Sequence, residues 1–425
     1  MPQRHGAVNK EVLAGRWATA HSDGMNWTDR FAQRTGLMRR SAVRELLQVA
    51  SQPGIISFAG GLPAAELFPV SRVKAAADAV LERVGGQCLQ YAETEGLPGL
   101  RDWIARQFSR EHLTVERENV LITSGAQQAL DLIGRVLLDE GDRVAVENPT
   151  YLALLSAWRP LGVEFLAVPS DTQGMRVDAL EPLLERKPKL MYLTPNFQNP
   201  QGTTLALERR KRLVALLQEY EIPVVEDNPY GDLRYNGPSL PNLLEFEAGF
   251  SRTTHHAPRS PDHVIYAGTF SKVLMPGLRV GWVIADRQVI DKLVQAKQAA
   301  DLHTNTLGQY LALELVTHGF LEEFLPVLRK AYRARRDLML AALEKHFPKT
   351  ASWTRPDGGM FLLVTLPGTV DTDELLPAAL ARKVAYVPGE EFHLNGEGRN
   401  TLRLNFSNAR PEQIEEGIHR LAALL

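Results

Sequence analysis

Short runs of β-branched and apolar residues alternate along the chain with longer segments whose apolar residues recur at helical spacing. Four of the short runs end directly in polar, Gly or Pro residues, and they span 119–123, 190–194, 223–225 and 264–268. Runs of this length predict buried strands of a mainly parallel sheet. The segments between them, such as 126–138 and 206–220, predict helices. This alternation indicates an α/β fold built from β-α-β units.

The pattern changes after about residue 325. A long helical stretch over 329–347 precedes two strand-like runs at 359–366 and 401–406, which indicates a separate, smaller α+β domain. Residues 236–263 are rich in Pro, Ser and His without periodicity and predict a surface loop. Its adjacent histidines, at 255 and 256, have no thiol or carboxylate beside them, so we assign no metal site.

Composition narrows the class of function. The 425 residues are 44% hydrophobic and 23% charged, which predicts a soluble protein of more than one domain. A net charge of -2 offers no basic surface for nucleic acid, and no uncharged apolar stretch reaches the length of a membrane span. The single Cys88 excludes an intramolecular disulfide, and the first 30 residues contain no apolar signal segment. We therefore expect a cytoplasmic protein that acts on small molecules.

Ligands of open α/β sheets bind beyond the carboxyl ends of the strands, so the residues after the four runs should converge on one crevice. The first run leads into Ser124-Gly125-Ala126-Gln127 at a helix start, where free N–H groups favour a phosphate. Alone, this tetrapeptide is better explained as an N-capping serine in a tight turn. Further support comes from three residues whose guanidinium or hydroxyl groups suit a phosphate: Arg279, Thr269 and Ser271.

Two more residues suit a heteroaromatic aldehyde. Asp227 follows the third run; before Asn228-Pro229 it is a common turn former, but against a ring nitrogen its charge would keep that nitrogen protonated. Lys272 follows the fourth run and can form a Schiff base with an aldehyde, although an isolated loop lysine is usually a solvated charge. Phosphate, protonated ring and aldehyde together describe pyridoxal 5'-phosphate.

With these motifs in this order over roughly residues 40–410, the sequence resembles the fold-type I pyridoxal-phosphate aminotransferases of class I/II. The resemblance implies a large domain with a three-layer, mainly parallel sheet, and a smaller α+β domain. It implies that the catalytic residues are Lys272, Asp227 and Tyr230. The cofactor-binding residues that it implies are Ser124, Gly125, Ala126, Gln127, Tyr151, Asn199, Asp227, Tyr230, Thr269, Ser271, Lys272, Arg279 and, across a subunit boundary, Tyr91.

The implied contact of Tyr91 requires a homodimer with shared active sites, although this tyrosine could merely pack within its own chain. The family arginine that grips the substrate α-carboxylate matches Arg403, which on strand alternation alone would face solvent. Residues 53–69 resemble the 2-aminoadipate and kynurenine aminotransferase group. The substrate-binding residues implied are Arg403, Asn199, Arg44, Gly60 and Gly61.

Arg44 resembles the arginine that contacts acidic substrate side chains, so glutamate or 2-aminoadipate is the leading amino donor, with aromatic or aliphatic donors admitted if the segment moves. A surface ion pair on its own helix is an equally plausible role. The expected division of the chain is an arm over 1–40, a small-domain and substrate-lid segment over 41–70, a large domain over 71–325 and a small domain over 326–425.

The implied reaction is ping-pong transamination between an L-amino acid and a 2-oxo acid through the Lys272 Schiff base. Two alternatives stay open, because a fold does not fix a chemistry: β-elimination or decarboxylation on the same scaffold, and a non-catalytic sensor that uses the same pocket. Regulators of the MocR type share this region but carry a winged-helix domain ahead of it. About 40 residues precede it here, which is too few for such a domain.

Overall fold

The computed structural model of the chain describes residues 25–38, 46, 52–249 and 260–425. The strands in these ranges are β1 (Ile56–Ser57), β2 (Val120–Thr123), β3 (Arg143–Asn148), β4 (Glu164–Asp171), β5 (Gly174–Met175), β6 (Leu190–Leu193), β7 (Val224–Asp227), β8 (Val264–Thr269), β9 (Gly281–Ile284), β10 (Ser352–Trp353), β11 (Phe361–Thr365), β12 (Val384–Ala385), β13 (Val387–Pro388) and β14 (Thr401–Asn405). The helices in the same ranges are α1 (Val70–Val84), α2 (Pro98–Phe108), α3 (Ala126–Leu137), α4 (Leu152–Trp158), α5 (Glu181–Leu184), α6 (Leu207–Glu219), α7 (Leu243–Gly249), α8 (Arg287–Ala300), α9 (Thr306–Thr317), α10 (Phe320–His346), α11 (Thr372–Ala381) and α12 (Pro411–Ala422).

The largest sheet has the strand order β2-β9-β8-β7-β6-β3-β4-β5. Strands β8, β7, β6, β3 and β4 are parallel neighbours, while β9 runs antiparallel to both β2 and β8. The four apolar runs form β2, β6, β7 and β8, and every residue of these strands is buried. The predicted mainly parallel α/β sheet is therefore confirmed.

Helices cover both faces of this sheet. In β2, Val120 and Ile122 join one hydrophobic core while Leu121 joins the other, because successive side chains of a strand point to opposite faces. Burial on both faces explains why these strands are continuous apolar runs rather than alternating ones. The apolar composition of these strands therefore indicates the three-layer architecture.

A second, antiparallel sheet has the order β10-β11-β14-β13, and α10 and α12 pack against each other beside it. The short strand β1 pairs in parallel with β12, so that Ile56 lies opposite Val384. This pairing ties the glycine-containing segment after β1 to the C-terminal part of the chain. The domain boundaries that we drew from the sequence stay predictions.

The prediction of a surface loop over 236–263 is wrong in part, since this segment contains the helix α7. Leu243, Leu244 and Ala248 are buried, and the carboxylate of Glu226 accepts a hydrogen bond from the N–H of Leu243 at 2.8 Å. The N–H of Glu245 also donates to Asn242 Oδ1 at 2.8 Å, so this short helix has a local cap as well as one from another element. Only the local cap is visible in the sequence. The two adjacent histidines lie outside the described residues.

In the predicted N-terminal arm, residues Trp27–Arg30 and Gln33–Leu37 form short 3-10 turns without buried residues. At the start of the expected small-domain and substrate-lid segment, over residues 41–51, only the buried Leu46 belongs to the described residues. Within the described ranges, no helix is both long and apolar enough to cross a membrane.

Candidate active site

A cavity of about 500 Å³ lies where β6, β7 and β8 reach their carboxyl ends. This is the edge of the sheet at which ligands of α/β proteins bind. Twelve of the residues that the sequence singled out line it: Gly61, Ala126, Gln127, Tyr151, Asn199, Asp227, Tyr230, Thr269, Ser271, Lys272, Arg279 and Arg403. Residues separated by more than 300 positions are thus brought to one place, and their individual roles stay predictions.

Asp227, the last residue of β7, is a buried carboxylate with one free oxygen. Its Oδ2 accepts a hydrogen bond from the Tyr192 hydroxyl at 2.8 Å, while its Oδ1 has no partner among the described residues. Burial raises the pKa of Asp227 to about 6, and the bond from Tyr192 opposes the rise only in part. A buried oxygen without a donor is unfavourable, so this position suits a cationic N–H group of a ligand.

Lys272 lies in the turn after β8, with its Nζ 2.9 Å from the carbonyl oxygen of Gly61. Burial and the nearby cations Arg403 and Arg279 lower the pKa of Lys272 to about 8. At this pKa roughly one amine in ten is unprotonated at pH 7, against about one in three thousand for an ordinary lysine. The site therefore supplies the free lone pair that a nucleophilic lysine requires.

One end of the cavity collects donors for an anion. Arg279 adopts a left-handed backbone conformation, with φ of 53°, and its Nη2 donates to the carbonyl oxygen of Ser124 at 2.9 Å. Gly125, with φ of 83°, allows this approach, because a Cβ there would lie 2.7 Å from Nη2. Thr269 and Ser271 add two hydroxyls, 2.9 Å apart. Helix α3 begins at Ala126, where the first N–H groups have no intrahelical acceptor, and the ensemble suits a phosphate.

Arg403 lies on β14, which has neighbours on both sides, and only 4% of the residue is exposed. Its Nη1 donates to Asn199 Oδ1 at 2.8 Å and its Nη2 to the carbonyl oxygen of Ala59 at 2.5 Å. The guanidinium carbon lies 4.4 Å from the ring centre of Phe361, and burial lowers the pKa of Arg403 to about 10. Its Nε has no partner among the described residues. A buried guanidinium with a free donor suits a carboxylate.

Some predicted residues lie away from the cavity lining. Ser124 directs its hydroxyl to Asp301 Oδ2 at 3.2 Å, so the hydroxyl is not a free donor for a ligand. Gly60 is buried beside Gly61, and Tyr91 is 77% exposed with its ring edge against His303. Arg44 lies outside the described residues.

The family model of aminotransferase class I and II matches residues 55–421. The chain belongs to this family. The aminotransferase is 45% identical over 404 residues to the 2-aminoadipate transaminase of Thermus thermophilus, covering 94% of this chain and 98% of that protein. It is 43% identical over 402 residues to the aromatic-amino-acid aminotransferase 1 of Thermococcus litoralis, covering 92% of this chain and 93% of that protein.

The crystal structure of the α-aminoadipate aminotransferase of Thermus thermophilus, complexed with N-(5'-phosphopyridoxyl)-L-leucine, superposes with a TM-score of 0.86. The two sequences are 44% identical, and the match covers 94% of this chain and 98% of that chain. These likenesses confirm the predicted fold type and the predicted aminotransferase activity. They favour neither a different reaction on the scaffold nor a non-catalytic sensor.

Several residues of the aminotransferase site escaped the sequence analysis. Thr194, Phe361 and Phe392 line the cavity, and Tyr192 supports Asp227 from behind. Thr194 is the last residue of the predicted strand 190–194 and directly follows the observed β6, so its position at the sheet edge was a usable signal. The two phenylalanines come from the C-terminal part of the chain, and only the tertiary fold reveals that they flank Arg403.

Proposed function

We propose that this aminotransferase holds pyridoxal 5'-phosphate in the cavity and moves an amino group from an L-amino acid to a 2-oxo acid. The observation that carries the proposal is the unpartnered, buried Oδ1 of Asp227 in the same cavity as Lys272. A carboxylate there suits a protonated ring nitrogen, and a lysine with a lowered pKa suits an aldehyde. When bound, the cofactor supplies a carbonyl carbon that carries the amino group and a ring that withdraws electrons from it.

The residues of the cavity fit each part of this molecule. Arg279, the hydroxyls of Thr269 and Ser271, and the first N–H groups of α3 would hold the phosphate. The ring would meet Asp227 at its nitrogen and Tyr151 at its face, while Asn199 and Tyr230, which both line the cavity, would meet its phenolic oxygen. Lys272 would bind the aldehyde group.

The protein groups then act on the substrate in three ways. Arg403 binds the α-carboxylate with its free donor and thereby orients the Cα–H bond. Lys272 Nζ removes the Cα proton, because its lowered pKa leaves the amine unprotonated in a useful fraction of molecules. Phe361 and Phe392 cover Arg403 and keep water from its guanidinium, which strengthens the contact with the carboxylate.

For the amino donor, we propose glutamate or 2-aminoadipate, with aromatic and aliphatic amino acids also accepted. The names of the relatives, which act on 2-aminoadipate and on aromatic amino acids, support this range. The side chains of Leu62, Leu152 and Phe392 also give the cavity an apolar wall. The contact of Arg44 with an acidic side chain stays a prediction.

We also propose a cytoplasmic homodimer in which Tyr91 reaches the phosphate of the partner site. Its exposure in the single chain, at 77%, and the exposure of Leu89 and Leu302 beside it support a covered surface. Sedimentation of the purified enzyme should give twice the 47.3 kDa mass of the chain. A monomer that is fully active would contradict the shared site.

The experiment that tests the function mixes the purified, cofactor-loaded enzyme with one amino acid at a time and follows its absorbance spectrum. Transamination predicts a spectral change with one equivalent of 2-oxo acid released. Release of ammonia or carbon dioxide instead would indicate the other reactions, and no change with any amino acid would indicate a sensor. Borohydride reduction followed by peptide mapping should place the label on Lys272, and the Lys272→Ala variant should take none; a label on another lysine would overturn the assignment.

A further inference from the structure

Behind the turn at Ser124 lies an ion pair between a buried lysine and a partly exposed aspartate, and the proposed chemistry does not use it. Lys297, in the last turn of α8, has no exposed side-chain surface. Its Nζ donates to Asp301 Oδ1 at 2.7 Å, to Asp301 Oδ2 at 2.8 Å and to Gln128 Oε1 at 2.9 Å. An ammonium group has three N–H donors, so these contacts use it fully.

The ion pair continues into the turn through Gln128. The Nε2 of this glutamine donates to Asp301 Oδ2 at 2.6 Å, and its Oε1 accepts from the backbone N–H of Ser124 at 2.7 Å. The Ser124 hydroxyl also donates to Asp301, at 3.2 Å. Both ends of the amide are therefore engaged, and Ser124 is held through its N–H and its side chain.

The third polar group of Ser124 points the other way. Its carbonyl oxygen accepts the hydrogen bond from Arg279 Nη2 at 2.9 Å. Ser124 thus joins the ion pair of Lys297 and Asp301 to the guanidinium at the anion-binding end of the cavity. Neither Lys297 nor Asp301 nor Gln128 lines the cavity, so a direct contact with a ligand there is not their role.

Burying the ammonium group of Lys297 costs desolvation energy, so an apolar side chain of similar size would stabilise the fold as well or better. The hydrogen bonds of the pair instead orient the groups that they join, because each bond fixes an angle as well as a distance. Lys297 also neutralises the carboxylate of Asp301, which would otherwise lie uncompensated directly behind a site for an anion. The fixed orientation and the neutralised carboxylate both favour binding of a phosphate, whereas neither is needed to pack the hydrophobic core.

We propose that Lys297, Asp301 and Gln128 are positioning residues that hold Ser124, and through it Arg279, in the geometry that binds the cofactor phosphate. The inference rests on the proposed function. It predicts that breaking the network weakens binding of pyridoxal 5'-phosphate, whereas pyridoxal, which has the same ring and aldehyde but no phosphate, binds as before.

The test measures dissociation constants of both compounds for the cofactor-free enzyme and for Lys297→Met. We expect the affinity for pyridoxal 5'-phosphate to fall about 10- to 100-fold, the loss typical of one charge-assisted hydrogen bond, and that for pyridoxal to stay unchanged. Lys189→Met is the matched control, since it removes a surface lysine paired with Asp142 at 2.8 Å, far along the chain from the turn. It should change neither constant.

A second variant guards against loss of folding. Gln128→Met removes the acceptor of the Ser124 N–H but leaves the pair of Lys297 and Asp301 and the bond from the Ser124 hydroxyl in place, and it should show the same selective loss. Equal losses for the two compounds, or no loss for either, would overturn the positioning role. If the unaltered enzyme bound neither compound, the proposed function itself would fail, and this outcome is distinct from the first two.

Discussion

Replacing Arg403 with methionine removes a buried cation that has no ion-pair partner among the described residues. The substitution leaves Asn199 Oδ1 and the Ala59 carbonyl without their donors, which costs about 1–3 kcal/mol for each acceptor. It also relieves the burial of an uncompensated charge, a penalty of several kcal/mol. Because the two effects oppose each other, we expect the free energy of unfolding of the cofactor-free enzyme to stay within about 2 kcal/mol of the wild type.

The effect on catalysis should be far larger. Of the five N–H donors of Arg403, two bind Asn199 and the Ala59 carbonyl, which leaves Nε and a further N–H for a substrate carboxylate. Each of these two charge-assisted hydrogen bonds contributes about 1.5–3 kcal/mol, so the loss of both lowers kcat/KM by about 10² to 10⁴. Single-turnover absorbance measurements with an amino acid would give this ratio, and urea unfolding would give the stability. Arg403→Lys keeps the charge but loses the planar fork and should fall between the two.

A primary amine with the same side chain but no carboxylate provides the decisive comparison. The wild type and Arg403→Met should react with it at similar, slow rates, because neither can use the missing group. If Arg403→Met kept its kcat/KM for amino acids, or lost activity only in proportion to unfolded protein, Arg403 would be a structural residue and the reasoning would fail.

Two further predictions concern Lys272 and Gly125. Folding lowers the pKa of Lys272 from 10.5 to about 8, so the folded state binds this proton less tightly than the unfolded state. The protonated lysine therefore destabilises the folded state. This loss of stability is at its full size below pH 8 and disappears as the pH rises to 10.5. Cofactor-free Lys272→Met should therefore be more stable than the wild type at pH 7 in urea unfolding, with the gap closing over that range; a constant gap would contradict the shift. Gly125→Ala should weaken binding of pyridoxal 5'-phosphate about 10- to 100-fold by displacing Arg279, whereas Gly237→Ala, at a φ of 71° with open space around it, adds similar backbone strain and should leave binding intact. Equal titration curves for the two alanine variants would refute this account.

The apolar pattern located the large sheet well, because strands buried on both faces are continuous apolar runs and need no tertiary information to be seen. The run at 264–268 corresponds to the strand β8, Val264–Thr269. The polar residues after such runs lie together at the carboxyl edge of the sheet. The same reasoning misjudged Arg403. An alternating pattern predicts that one face of a strand is exposed to solvent. Both faces of β14 are buried, so the side chain of Arg403 lies inside the molecule.

Long-range contacts account for most of what the sequence did not reveal. The support of Asp227 by Tyr192 links neighbouring strands whose register is set only in the folded sheet. Lys297 reads as an ordinary polar position on an amphipathic helix, and its engagement with Gln128 spans 169 positions. Helix α7 receives a cap from Glu226, which lies 17 positions earlier, in addition to the local cap from Asn242. No window of local sequence contains both partners of such contacts.

The pairing of β1 with β12 has a mechanical consequence. Phe58 is hydrogen-bonded to Ala385 through its N–H and to Asn405 through its carbonyl, each at 2.8 Å, so the segment leading to Ala59 is clamped between two strands of the C-terminal part. Arg403, which donates to Ala59, belongs to the same assembly. A tilt of that assembly relative to the large sheet would carry the guanidinium and this segment as one piece and would strain the bond from Arg403 to Asn199, which follows β6 of the large sheet.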